Sequence, residues 1–312
     1  MSVISVIVAT PLISAVVLAL VPGWKLASWL NVAFSAVTLI ASLVLFRTPP
    51  SSSPLFVVDA FNIYLIALTA FVGLTTSVFS ASYIGHEVAS KKLDAGKLRF
   101  YHAMYQAFMF TMLLALSANN LGVMWVAVEG ATLTTVLMVS LYRTAASIEA
   151  AWKYFILCGV GIALALFGTI LMYLAAQPVM GPGMAAMTWT ELMVHVARVN
   201  ADILNLAFVF LLIGYGTKVG LAPLHAWLPD AHAEGPTPIS AVLSGLLLNV
   251  ALYAVLRFKM LLAANGGAIA PGPLMITMGL ASLLLAGLML YRRRDIKRFF
   301  AYSSIEHMGI IT

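Results

Sequence analysis

The chain has 312 residues, of which 62% are hydrophobic and only 9% charged, with a formal net charge of +6. Soluble domains carry about 25% charged residues, so this composition excludes an ordinary soluble protein and describes a polytopic membrane protein. The basic residues fall in a few short loops rather than on one patch, which is the bias of cytoplasmic loops and not the footprint of a nucleic-acid binder.

A helix crossing the hydrocarbon core needs about 20 apolar residues. Runs of that kind lie at 3–21, 27–46, 60–84, 101–118, 121–142, 152–175, 204–222, 239–258 and 272–291, and a tenth opens near Ile296 and stops at Thr312. The last run ends within its span, so the chain reads as C-terminally incomplete. The first run has no positive residue before it, which predicts a retained first helix with an external N-terminus. Alternate loops hold Lys25; Lys91, Lys92, Lys97 and Arg99; Arg143; and Arg292, Arg293, Arg294, Lys297 and Arg298. The opposite set holds Arg47, Arg198, Arg257 and Lys259, so the first set is the cytoplasmic one. The stretch 86–100 reads as a solvated loop, and 177–203 as a loop with a short external amphipathic piece.

Few ionisable residues lie inside the spans. A charge at the centre of a bilayer helix costs roughly 2.5–3.5 kcal/mol on insertion scales, which makes such a residue a functional candidate. Glu129 lies about 8 residues, or ~12 Å, into its helix, where desolvation favours the protonated form; it is a candidate proton carrier. Lys218 sits at the end of the 204–222 run and is its natural counterpart. Pro223 follows, removes a backbone donor and predicts a helix break there, of the kind tolerated only where protein or water satisfies the freed carbonyls. Lys153, near the start of its helix, either reaches the interface on its long stem or acts on Glu129. His225 and His232 flank the break with side chains suited to passing protons near neutral pH. Asn249 lies within the next span and can hydrogen-bond water without storing a proton. Glu306 and His307 lie ~15 Å into the last helix. Cys158 reads as a small buried hydrophobe, and one cysteine holds neither a disulfide nor an iron–sulfur cluster. No spacing suggests a metal site, and no cofactor is expected.

The run Lys218-Val-Gly-Leu-Ala-Pro-Leu-His-Ala-Trp-Leu-Pro-Asp-Ala-His-Ala-Glu-Gly-Pro-Thr-Pro-Ile-Ser-Ala closely resembles the signature of the proton-conducting antiporter-like membrane subunits. That family includes the large membrane subunits of respiratory complex I, the Mrp-type sodium/proton antiporters and the membrane arms of energy-converting hydrogenases. The run Asp295-Ile-Lys-Arg-Phe-Phe-Ala-Tyr-Ser-Ser-Ile-Glu306-His307-Met-Gly is a second match, whose Glu-His form is most similar to component F of hydrogenase-4 complexes. The resemblance implies an all-α membrane fold of inverted five-helix repeats, each with a broken helix. Residues 1–85 would form helices 1–3, residues 101–258 the first repeat with its broken seventh helix, and residues 272–312 the opening of a second repeat. By motif position Glu129 matches the family's carboxylate on the fifth helix, Lys218 its lysine on the seventh, and Lys153 a modulating basic position. Asn249 departs from the pattern, because complex I subunits carry a lysine or histidine there.

The resemblance therefore implies a proton-translocating subunit of a hydrogenase-4-like or complex I-like oxidoreductase in the bacterial inner membrane. Its partners would be other membrane subunits and a peripheral hydrogenase or dehydrogenase arm. Two alternatives belong to other classes: a sodium/proton antiporter subunit, with Na+ as the second ion, and a non-conducting membrane anchor.

Overall fold

Each apolar run forms helix in the computed structural model, which describes residues 2–90, 92–93, 95–291 and 295–312. In chain order the helices are α1 (Val3–Leu20), α2 (Trp24–Val44), α3 (Asn62–Ala89), α4 (Ala95–Ser117), α5 (Leu121–Val139), α6 (Ala145–Met180) and α7 (Trp189–His195). They continue with α8 (Ala201–Val219), α9 (Leu228–Glu234), α10 (Thr237–Val242), α11 (Leu248–Ala263), α12 (Pro271–Leu290) and α13 (Ile296–Ile311). Among the described residues eight helical segments are long and apolar enough to cross a membrane; α4 and α13 coincide with the two remaining runs. Of the basic loop residues, Lys91, Arg292, Arg293 and Arg294 lie outside the described residues.

The starts of the helices are written in side chains. Asn120 accepts from the amides of Gly122 and Val123 to open α5, Thr144 from Ser147 to open α6, and Asn200 from Ile203 to open α8. Each supplies a partner to amides that have none inside the helix. Two short strands, β1 (Ser51–Ser52) and β2 (Val57–Val58), pair antiparallel before α3. The Asn119 side chain donates to the Ser53 carbonyl and to Thr190 Oγ1, so this end of the bundle is laced together across three connections.

Packing between the helices rests on small and hydrogen-bonding residues, as expected where lipid removes the hydrophobic drive for association. On α2, Ser28 meets His102 Nε2 of α4 at 3.2 Å, while Gln106 of α4 donates to Asn31 Oδ1 at 2.7 Å and Ser35 Oγ at 2.9 Å. The α6–α8 contact is closer still. A Cβ on Gly161 would lie 2.7 Å from Thr217 Cβ, and one on Gly214 would lie 2.6 Å from the Gly161 carbonyl oxygen. Those two glycines set the depth at which α8 presses into α6.

Two loop assignments are corrected. Helix α3 runs on to Ala89 and α4 begins at Ala95, so most of the 86–100 stretch is helical, with Glu87 buried and paired to Lys92 at 3.4 Å. Glu87 turns inward from the end of α3, while His86, Ser90 and Lys92 remain exposed. Arg257 is no loop residue. It lies within α11, 2% exposed, with its guanidinium 2.6 Å from Asp59 and stacked over Trp189, Tyr253 and Phe61. Asp59 also accepts from the amides of Phe61 and Asn62 at the start of α3. The aromatic cage makes the burial tolerable, because cation–π contacts replace part of the lost hydration.

Candidate functional site

The ionisable residues inside the bundle converge where α5, α6 and the end of α8 meet. Lys218 is fully buried, and its ammonium donates to Thr132 Oγ1. The Thr132 hydroxyl in turn donates to Glu129 Oε2 at 3.1 Å, sharing its proton with the Val128 carbonyl at 3.3 Å. One hydroxyl thus links the lysine of α8 to the carboxylate of α5. Tyr154 of α6 lies under the ammonium, 5.2 Å from ring centre to nitrogen, and its own hydroxyl is fixed by Thr135 at 2.7 Å. Cys158, fully buried, adjoins the same ammonium.

Burying a lysine requires that its charge be met by dipoles, a π face or an acid, and this pocket supplies all three. The Gly161–Thr217 and Gly214–Ala165 contacts hold α8 against α6 immediately before Lys218 and one turn earlier, so the lysine stem emerges between Tyr154 and Thr132. Gly130 also brings α5 close to α4, where a Cβ would lie 3.1 Å from Thr111 Cγ2, a looser fit than at the α6–α8 seam.

The helix break follows Lys218 directly, and its cause differs from the sequence reading. Helix α8 stops at Val219 because Gly220 takes the left-handed conformation, φ +80. Its amide donates to Thr217, and the Leu221 amide reaches back to Gly216, which closes the helix in the Schellman pattern. Pro223 comes three residues later, inside the loop. The Thr217 carbonyl also accepts from Trp227 Nε1 at 2.8 Å, and Trp227 stacks on Tyr154 with ring centres 4.7 Å apart. The loop is further pinned by Ser282 of α12, which accepts from the Ala222 amide at 2.8 Å. The freed carbonyl of the break is therefore met by protein.

Lys153 lies apart from Glu129. Its ammonium contacts Glu149 at 2.7 Å and Asp230 at 3.1 Å, and Asp230 also binds Arg298 at 3.1 Å, a chain of charges that joins α6, α9 and α13 at the rim. His232 is buried in α9, in the connection between two spans, where burial with Lys297 nearby holds its imidazole down to about 4. His225 is half-buried in the loop with its ring 6.5 Å from that of Tyr302, and burial lowers its pKa as well. Asn249 follows a π-helical turn, Leu243–Leu247, and donates to the Gly245 carbonyl at 2.7 Å. Glu306 is half-buried, while His307 is exposed and donates through Nδ1 to the Ser303 carbonyl at 2.7 Å. Of the sequence candidates, only Glu129 and Lys218 are joined, and they are joined by Thr132, whose place in the sequence suits close helix approach and does not mark it as a bridge.

A discontinuous helix carrying a buried lysine, bridged to a carboxylate on a neighbouring span, defines an antiporter-like membrane subunit. The chain belongs to the family described as NADH:quinone oxidoreductase/Mrp antiporter, TM, whose pattern matches residues 118–312. It is 60% identical over 307 residues to a hydrogenase-4 component F homolog of Methylacidiphilum infernorum, an alignment covering 98% of this chain and 64% of that protein. It is 30% identical over 215 residues to NAD(P)H-quinone oxidoreductase chain 4 of Gloeobacter violaceus, covering 68% of this chain and 39% of that one. The chain thus spans less than two thirds of the length of these relatives. Among solved structures the fold is similar to a chain of the archaeal membrane-bound sulfane sulfur reductase, with a TM-score of 0.85 at 21% identity over 99% of this chain and 63% of that one. It is also similar to a chain of Thermus thermophilus respiratory complex I, with a TM-score of 0.77 at 23% identity over 99% and 62%.

Proposed function

We propose that the chain is a proton-translocating membrane subunit of a hydrogenase-4-like or complex I-like assembly, and that Glu129, Thr132 and Lys218 form its central relay. The observation that carries this reading is the continuous hydrogen-bonded path from the Lys218 ammonium through the Thr132 hydroxyl to the Glu129 carboxylate. A proton leaves Lys218 for Thr132 Oγ1 as the hydroxyl passes its own proton to Glu129; the lysine ends neutral, the glutamate ends protonated, and the hydroxyl is restored. Tyr154 and the Thr217–Trp227 bond hold the lysine end in place, and the same bond ties the loop after Gly220 to α8, so that a shift of the loop would carry Lys218 with it. Redox chemistry in partner subunits would shift the distance between Lys218 and Glu129 and so drive the exchange.

His225 and His232 would exchange protons on the side of the break, Asn249 would order water between the lysine and the second half, and Glu306 and His307 would continue the path in α13. Lys153, tied to Asp230, would couple movement of α9 to α6. In this reading residues 101–258 form one five-helix repeat and 272–312 open another. The partners would be further membrane subunits and a peripheral hydrogenase or dehydrogenase arm, and the membrane the bacterial inner membrane, with the N-terminus outside and the basic end of the bundle at the cytoplasm.

The test is proton translocation by vesicles carrying the assembled complex, with Lys218→Ala compared to wild type. Loss of pumping with assembly intact supports the relay. Unchanged pumping overturns it, and pumping that depends on sodium would reassign the chain to sodium/proton exchange.

A further inference from the structure

A groove of about 560 Å³ runs between α5 and α6, and Glu129, Thr132 and Lys218 are not among its lining residues. Its walls are Leu133 and Leu137 of α5 and Ile148 and Phe155 of α6, all among the exposed hydrophobic residues. Such a trough inside the hydrocarbon layer is filled by acyl chain or by protein. Its basic end decides which. There Arg143 and Ser140 line the groove beside Trp152, which is 59% exposed. Among the described residues Arg143 has no carboxylate in ion-pair reach.

The backbone at Arg143 is also unusual, with φ +55. A non-glycine residue in this left-handed region is held there by its surroundings. That turn between α5 and α6 places Arg143 in the lining of the groove. Cationic pockets between spans on the positive side of a membrane are suited to anionic headgroups, and a tryptophan at that level is suited to the interface.

We propose that this groove binds one anionic phospholipid of the leaflet at the basic end. An acyl chain lies between α5 and α6, and the phosphate sits against the Arg143 guanidinium and the Ser140 hydroxyl. The site is independent of the relay.

The chain has six tryptophans, so the signal of Trp152 is taken as the difference between wild type and Trp152→Phe. The complex is placed in nanodiscs containing phosphatidylglycerol or phosphatidylcholine brominated in the acyl chains. Quenching of Trp152 is expected at an about fivefold lower mole fraction of the anionic lipid, the ratio that one interfacial cation confers. Arg143→Gln should remove the preference but keep the quenching, and Arg143→Lys should keep both. Equal quenching by the two lipids in wild type would show ordinary annular contact and overturn the proposal. Absence of Trp152 quenching in the assembled complex would overturn it too, by showing that a protein neighbour covers the groove.

Discussion

Lys218 and Glu129 are joined through a single side chain, the Thr132 hydroxyl, which accepts from the ammonium of α8 and donates to the carboxylate of its own helix one turn back. That relationship makes the pair conditional. A direct ion pair is broken only by moving two charges apart in a low-dielectric interior, whereas a bridged pair changes with one hydroxyl rotation or a small shift of α8.

The position of Lys218 depends on the α6–α8 seam. Gly161→Ala would put a Cβ 2.7 Å from Thr217 Cβ, so it should destabilise the protein by roughly 1–3 kcal/mol, the usual range for overpacking. Gly159→Ala, two residues away, meets nothing within 4 Å and should be close to neutral. Thermal melts of the two solubilised variants check this, and equal melting points would show that the seam yields freely.

The break should be more sensitive at Gly220 than at Pro223. Gly220→Ala combines a left-handed backbone, worth about 1–2 kcal/mol against a side chain, with a Cβ 2.5 Å from Leu228 Cδ1. Comparing the Tm of Gly220→Ala and Pro223→Ala tests the assignment, and a larger loss in the proline variant would return the break to Pro223.

The Asp59–Arg257 pair should respond asymmetrically. The Arg257 side chain is 3% exposed and that of Asp59 30%. Asp59→Asn strands a buried guanidinium and should cost about 3 kcal/mol or more. Arg257→Met leaves a carboxylate that water can reach and should cost less. The double variant should fall short of the sum, because the partners share one interaction. Equal single losses in denaturation would mean that the aromatic cage, not the pair, carries the site.

Acidification should loosen the segment around α9. His232 is held down to about 4, against about 6.5 in an unfolded chain. Between these values the unfolded chain binds the extra proton, so stability is full above about pH 6.5 and falls as pH drops toward 4, by on the order of 3 kcal/mol. His232→Asn should flatten that part of the pH–Tm profile. A profile unchanged by the substitution would place the acid sensitivity elsewhere.

The helices were legible because apolar runs of membrane length have few other readings, and Glu129 and Lys218 stood out as charges inside them. Thr132 did not, since a threonine in Glu129-Gly-Ala-Thr-Leu-Thr-Thr looks like any small polar residue of a packed helix; only the position of α8 makes it the bridge. Arg257 was hidden by its place near the end of an apolar run, beside Lys259, where a loop charge is expected. Its partner Asp59 is 198 positions away, and its cage comes from three separate segments. Pro223 is the stronger punctuation in the sequence, although Gly220, two residues after Lys218, carries the signal of a left-handed helix cap. Tyr154 and Trp227, which frame the lysine, are aromatic residues in an aromatic-rich chain and acquire their role only from the way α6 and the loop fold together.

The most direct test of the relay is proton translocation by vesicles holding the assembled complex with Thr132→Val, set beside Thr132→Ser. Valine keeps the shape of the threonine and removes the hydroxyl, while Glu129 and Lys218 remain. The relay predicts that pumping is lost in the valine variant and kept in the serine variant, with assembly equal in both. Pumping by Thr132→Val at the wild-type rate would contradict it.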